Sequence, residues 1–262
     1  MLLGEPIRTP YDLHFSVLGF PVRVHPYFWL GTAICGFSAG EPIYVLIWIV
    51  VCFISILIHE LGHALMMRRF GREAHIVLHM MGGLAIEGSD SPYSFRSGMG
   101  RRSAYEQVLI SAAGPGAGFI LAGIVVGVVV LAGGQLSWVW LKQIIPFPIL
   151  AISRDGVVNL ENRNLFIFVN QMLYVNIFWG LMNMLPVFPL DGGQIARAVL
   201  MERDPWQGQT RSLWLSLITG AAAAIVGAFI LQEIYIALLF GSLAYSSYMA
   251  LQQFTGGRNR PW

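Results

Sequence analysis

Long apolar blocks, separated by short polar or basic segments, recur along this chain from residue 27 to residue 254. A helix of about 20 apolar residues matches the hydrocarbon thickness of a bilayer, so the pattern predicts helices that cross a membrane. The expected spans are 27–38, which is short, then 43–67, 104–131, 165–190, 212–231 and 234–254. Residues 11–26 alternate polar and apolar positions about Gly19-Phe20-Pro21 and predict a hairpin lying at the membrane surface. Residues 74–88, AHIVLHMMGGLAIEG, are too broken for a spanning helix and read as two strands about Gly82-Gly83. A hairpin dipping into the membrane fits them, with its backbone satisfied by protein or water. Residues 89–103 are polar and basic and predict a loop, and the connection 132–164 holds Trp138 and Trp140, residues typical of the interface. The expected fold class is therefore all-α, a polytopic membrane protein of about six transmembrane helices with small membrane-associated β-hairpins. Its expected parts are an N-terminal interfacial hairpin (1–26), a six-span core (27–254) and a short cytoplasmic tail (255–262).

Composition agrees. Hydrophobic residues make up 56% of the chain and charged residues 11%, against about 25% charged in a soluble domain, which excludes a water-soluble globule. A net charge of +2 does not indicate nucleic acid, because the Arg residues lie between apolar runs, where membrane orientation accounts for them. Six spans place both termini on one face. Lys142, Arg154 and Arg163 fall on the other, leaving 13 of the 16 Lys and Arg residues with the termini. The positive-inside rule then predicts cytoplasmic termini, with His59, His63 and Asp191 toward that side. Cys35 and Cys52 have no metal-binding spacing and read as small apolar residues. The N-terminus lacks the basic and apolar regions of a cleavable signal, so the first spans are expected to direct insertion.

The chemistry concentrates in HELGH at 59–63. His59 and His63, four apart on a helix, project from one face about one turn apart and can hold a single zinc ion, with Glu60 beside the open position as general base. A His-Glu-His cluster in an apolar helix is costly to bury. The alternative is a polar cluster that serves only contacts between helices. A catalytic zinc site needs a third protein ligand, and Asp191, after the helix-breaking Pro186 and Pro189, is the candidate; the alternative there is an ordinary turn or cap before a helix starting at Gln194. His75 and His79 are also four apart, but on a strand they would lie about 13 Å apart, too far for one metal. Glu106 reads as a helix-end charge.

HELGH in one span and NMLPVFPLDGG in a later one resemble the site-2 protease family of intramembrane zinc metalloproteases, whose patterns are HExxH and NxxPxxxLDG. Asn183, Pro186, Leu190, Asp191 and Gly192 fill the second pattern, and the Gly82-Gly83 hairpin and the AGP of Ala113, Gly114 and Pro115 extend the resemblance. One departure is Gly118, where members often carry Asn. The resemblance implies one zinc held by His59, His63 and Asp191, with Glu60 catalytic. Asn183 is expected either to donate to the substrate carbonyl or to stabilise the bundle, and Gly82 and Gly83 to receive an extended substrate as an added strand. It further implies single-span or membrane-tethered protein substrates, a separate regulatory membrane partner, and the plasma membrane of a prokaryote. The minimal form is expected, with no PDZ or CBS domain. Two other readings stay open: a membrane protease whose third ligand is Glu87 or Glu106, and a non-proteolytic metal transporter or sensor using the same ligands.

Overall fold

The computed structural model describes residues 6–37, 41–80, 82–88, 102–132, 136–141, 145–152 and 163–256. The expected loop at 89–103 lies almost wholly outside the described residues, as does most of the expected tail. Among the described residues, five helices are long and apolar enough to cross a membrane: Pro42–Arg69, Ala104–Leu131, Arg163–Asn183, Gly208–Ile230 and Ile234–Phe254. The first expected span differs. It forms α1 (Pro26–Gly36), whose eleven residues reach only about 17 Å, about half of what a span requires. The fold is thus a mostly helical membrane protein with a small sheet, and its chain divides into two compact units.

The first unit holds residues 1–101, 113–138 and 150–180. Strands β1 (Leu13–Val17) and β2 (Phe20–Val24) form the expected hairpin, antiparallel from Leu13↔Val24 to Val17↔Phe20. Its turn is at Leu18 and Gly19, both with positive φ (51° and 84°), one residue before the expected position. Such a two-residue turn follows the right-handed twist of the strands. Asp12 and Arg23 pair across the hairpin at 2.9 Å. Burial opposes ionisation of Asp12, but hydrogen bonds from Thr9 and Arg23 and the Arg23 charge outweigh it and hold the carboxyl down at about 2.

Strands β3 (Ala74–His79) and β4 (Gly82–Glu87) form the second hairpin. The two hairpins join, because β2 pairs in parallel with β3 through Val22↔Ile76 and Val24↔Leu78, giving one sheet of order β1-β2-β3-β4. Phe20, Val22, Val24, Ala74, Ile76 and Leu78 make its buried apolar face, and β3 and β4 lie against α2 (Pro42–Arg69).

Val51 of α2 packs with Met172 of α4 (Arg163–Tyr174) and with Val175. After α4 the helix continues through a π-turn, Val175–Trp179, into α5 (Gly180–Asn183). Two further strands among the described residues, β5 (Leu136–Leu141) and β6 (Ile145–Ile152), form a separate two-stranded sheet within the expected interfacial connection.

The second unit holds residues 102–112, 139–149 and 181–262. Helix α3 (Ala104–Leu131) matches the expected span and contributes its first turns here and the rest to the first unit. The Ser103 hydroxyl accepts from the Glu106 N–H at 3.1 Å, so Glu106 is the helix-end charge expected. Helix α6 (Asp191–Arg203) precedes a pair of long helices, α7 (Gly208–Ile225), extended by a π-turn to Ile230, and α8 (Ile234–Gly256). At Gly220 the two approach so closely that a methyl group would stand 3.2 Å from the Ala244 Cβ. Val187, Phe240 and Leu243 form the core of this unit.

Candidate metal centre

The HELGH stretch occupies the last third of α2, where the helix is still apolar before it ends on Arg68 and Arg69. His63 and His59 stand about 9 and 15 Å along the axis from Arg69. All three polar side chains are buried, His59 at 7%, Glu60 at 5% and His63 at 8% exposure. The imidazoles meet edge to face with ring centroids 4.9 Å apart, and their Nε2 atoms are 3.2 Å apart. Two nitrogens each about 2.05 Å from a tetrahedral zinc would stand about 3.3 Å apart, so the pair is already near the spacing a zinc ion requires. A ligand atom from each of His59, Glu60 and His63 lies within 4.8 Å of the other two, the one such group of three metal-binding side chains among the described residues.

Two glycines from distant elements provide the room. A methyl group on Gly114 of α3 would collide with His63 Nε2 and stand 2.8 Å from His59 Nε2. The space beside both nitrogens therefore exists because that residue has no side chain. A methyl group on Gly83 of β4 would strike Glu60 at Cγ and stand 2.6 Å from Oε1. Gly82 differs: a methyl there would meet nothing within 4 Å, but its φ of +128° is one that side-chain-bearing residues rarely adopt. Gly62, between the two histidines, lets α2 lie directly on the Ala113 carbonyl of α3. Helix α3 brings Gly114 to the site through the AGP segment, whose Pro115 lacks the N–H that would bond the Ser111 carbonyl.

Asp191 belongs to the second unit. It is buried and opens α6, instead of ending the fourth span, which stops at Asn183. Between them the chain turns through Met184–Leu190, closed by Met184 N–H to the Leu181 carbonyl (3.1 Å) and Leu190 N–H to the Val187 carbonyl (2.8 Å). The Ser216 hydroxyl of α7 accepts from the Phe188 N–H at 2.9 Å. Gly192 and Gly193 press directly on this turn, where side chains would collide with the backbone of Met184 and of Val187 and Phe188. Gln194 donates from its side chain to the Pro189 carbonyl (3.2 Å) and accepts from Gln107 of α3 (3.0 Å). Asn183, at the end of α5, is buried.

Gly114 bears directly on the histidine pair, and Ser55, one turn before it on α2, is hydrogen-bonded to Asn176; none of the three was singled out from the sequence as a site residue. An Asn in the middle of an apolar span is a visible signal, since an amide in hydrocarbon needs partners. Gly118, the departure from the family pattern, faces Asn176: a methyl group there would stand 3.5 Å from its Oδ1 and from its carbonyl oxygen. His75 and His79 lie on β3 as expected, and they fall outside the histidine group on α2.

Comparison with known proteins follows the same residues. The model of peptidase family M50 matches residues 47–227. A zinc metalloprotease of Methanocaldococcus jannaschii is 25% identical over 240 residues, which are 90% of this chain and 56% of that protein. Stage IV sporulation protein FB of Bacillus subtilis is 26% identical over 238 residues, 88% of this chain and 66% of that one. The chain thus spans between about half and two thirds of the length of these relatives. Among solved structures, the site-2 protease from Methanocaldococcus jannaschii shares the fold with a TM-score of 0.52, at 20% identity, over 92% of this chain and 95% of that one.

Proposed function

This chain belongs to peptidase family M50, and on that premise we propose that it is an intramembrane zinc metalloprotease that hydrolyses peptide bonds in or near the transmembrane segments of membrane-anchored proteins. The observation that carries the reading is the buried His59–His63 pair with Glu60 beside it, in a helix apolar enough to cross a membrane. His59, His63 and Asp191 would hold the zinc ion, which when bound supplies Lewis acidity toward water and the substrate carbonyl.

Glu60 is the general base in this proposal. It takes a proton from the attacking water and passes it to the amide nitrogen as the carbon–nitrogen bond breaks, which leaves an amine and a carboxylate. Gly83 keeps β4 close to the Glu60 carboxylate. A substrate strand paired to the outer edge of β4 would bring its carbonyl beside that group, after the substrate helix has unwound to free its amides. Asn183 is assigned either to the carbonyl oxygen or to the bundle, as its burial is compatible with both.

Membrane-tethered regulators and signal-peptide remnants are the proposed substrates, and the plasma membrane of a prokaryote the proposed location. Six crossings, with α1 as one of them, would place the termini and the site on the cytoplasmic side by the Lys and Arg distribution, whereas the five helices long enough to cross among the described residues would not. An odd number of crossings would separate the termini, which protease protection of tags at both ends distinguishes.

The test is reconstitution with a single-span substrate, comparing the wild type, Glu60→Gln and Asp191→Ala for cleavage and zinc content. Glu60→Gln is expected to keep zinc and lose cleavage by a factor on the order of 10² or more, and Asp191→Ala to weaken both. Undiminished cleavage by Glu60→Gln would overturn the assignment of Glu60 as the base, and a wild type that binds zinc without cleaving would favour the metal transporter or sensor.

A further inference from the structure

Ser55, His59 and His63 recur every four residues along one face of α2. Ser55 is 4% exposed, one turn before the first histidine. Its hydroxyl accepts from Asn176 Nδ2 at 2.9 Å, and the same amide donates its other proton to the Met172 carbonyl at 2.8 Å. Asn176 is itself 3% exposed. It sits in the π-turn Val175–Trp179, where one extra residue rotates the chain by on the order of 100° relative to a regular helix. The π-turn therefore sets the direction in which the amide projects.

Helix α3 meets this arrangement at two levels one turn apart. Gly114 faces the His59 and His63 nitrogens, while Gly118 faces the Asn176 amide, with its missing Cβ 3.5 Å from Oδ1. Rotation or sliding of α2 would break the buried Ser55 bond, and would also carry the imidazoles away from Gly114.

We propose that Asn176 is a positioning residue for the metal centre: through Ser55 it fixes the rotation of α2, and with it the placement of the His59–His63 pair against Gly114 of α3. The proposal rests on the reading of HELGH as a zinc site. Asn176 touches neither the metal nor the substrate.

The experiment measures zinc affinity by chelator competition on the folded protein in lipid, together with kcat and KM. Asn176→Ala and Ser55→Ala are each expected to weaken zinc binding by roughly three- to tenfold and to lower kcat with KM unchanged. The double variant is expected to be no worse than either alone, because both remove one bond. Moving the amide across to α3, with Gly118→Asn in the Asn176→Ala background, is expected to restore affinity. Gly118→Asn alone is expected to impair the protein, since a second amide would enter space that Asn176 fills.

Unchanged zinc affinity in folded Asn176→Ala, or additive losses in the double variant, would overturn the proposal. Ser55→Ala, which removes only the acceptor, gives the same decision if Asn176→Ala does not fold. Failure of the zinc reading has another signature, a wild type that takes up no zinc and a Glu60→Gln variant that still cleaves, and the proposal falls with it.

Discussion

The two motifs are held in opposite ways. Around HELGH the space comes from residues far along the chain, Gly83 on β4 and Gly114 on α3, each placed by tertiary packing. Around Asp191 it comes from Gly192 and Gly193, the next two residues, pressed on the turn immediately upstream. A motif that carries its own support can be read from a short stretch of sequence. A motif supported from elsewhere shows only its reactive residues, and the glycines that make them usable lie outside it.

Substitutions that fill these spaces separate the two cases. The largest effect is expected from Gly114→Ala, whose methyl group takes the place beside both histidine nitrogens. Zinc affinity should fall by on the order of a hundredfold, with the fold retained, as read by chelator titration and circular dichroism. Gly192→Ala should act on stability instead. Its methyl group meets backbone, which has little freedom to move, so unfolding of the second unit should become easier by about 2 kcal/mol, seen as a lower midpoint of thermal or denaturant unfolding. Gly83→Ala should push Glu60 aside while sparing the histidines, reducing kcat on the order of tenfold with zinc content unchanged. If Gly114→Ala bound zinc normally, or Gly83→Ala lost zinc, the division of roles between the two glycines would be wrong.

A smaller, pH-dependent effect is expected in the sheet. Burial, followed by the nearby His25 and Arg23 charges, lowers the His79 pKa below 6.5. Asp12, paired with Arg23, stays ionised across this range. The folded state then binds fewer protons on His79 than the unfolded chain does, so stability is full above 6.5 and declines as pH falls below it. Protection of the β3 and β4 amides, corrected for the intrinsic exchange rate, should fall between about pH 7.5 and 5.5, and His79→Gln should remove that dependence. The smallest effect belongs to Gly123→Ala in α3, where a methyl group would meet nothing within 4 Å. It should change stability by no more than about +0.5 to +1 kcal/mol in favour of the fold.

Legibility in the sequence follows the same local rule. Helix α3 begins and ends where the hydropathy pattern puts it, and α2 extends the expected 43–67 by only a few residues, because a continuous apolar run with polar ends leaves little choice. Both hairpins were visible as alternation broken by glycine. Their union through the parallel β2–β3 pair was not, since strands separated by two helices carry no local sign of pairing. The start of α6 at Asp191 was not legible for a related reason, and a helix from Gln194 entered only with the alternative of an ordinary turn or cap. Gly192 and Gly193 fit the first turn because the preceding backbone packs where side chains would be. The donor residues of the proposed site, His59, Glu60, His63 and Asp191, stood out by type and spacing. Asn176 and Ser55 did not, because their importance lies in a bond between separate helices.

The most direct measurement is the position of the cut. The reconstituted protein is incubated with a single-span substrate, and the products of the wild type and of Glu60→Gln are mapped by mass spectrometry. The account predicts new termini within or at the edge of the substrate's apolar segment, formed by the wild type and absent with Glu60→Gln. Cleavage confined to soluble parts of the substrate, or the same products from both proteins, would contradict it.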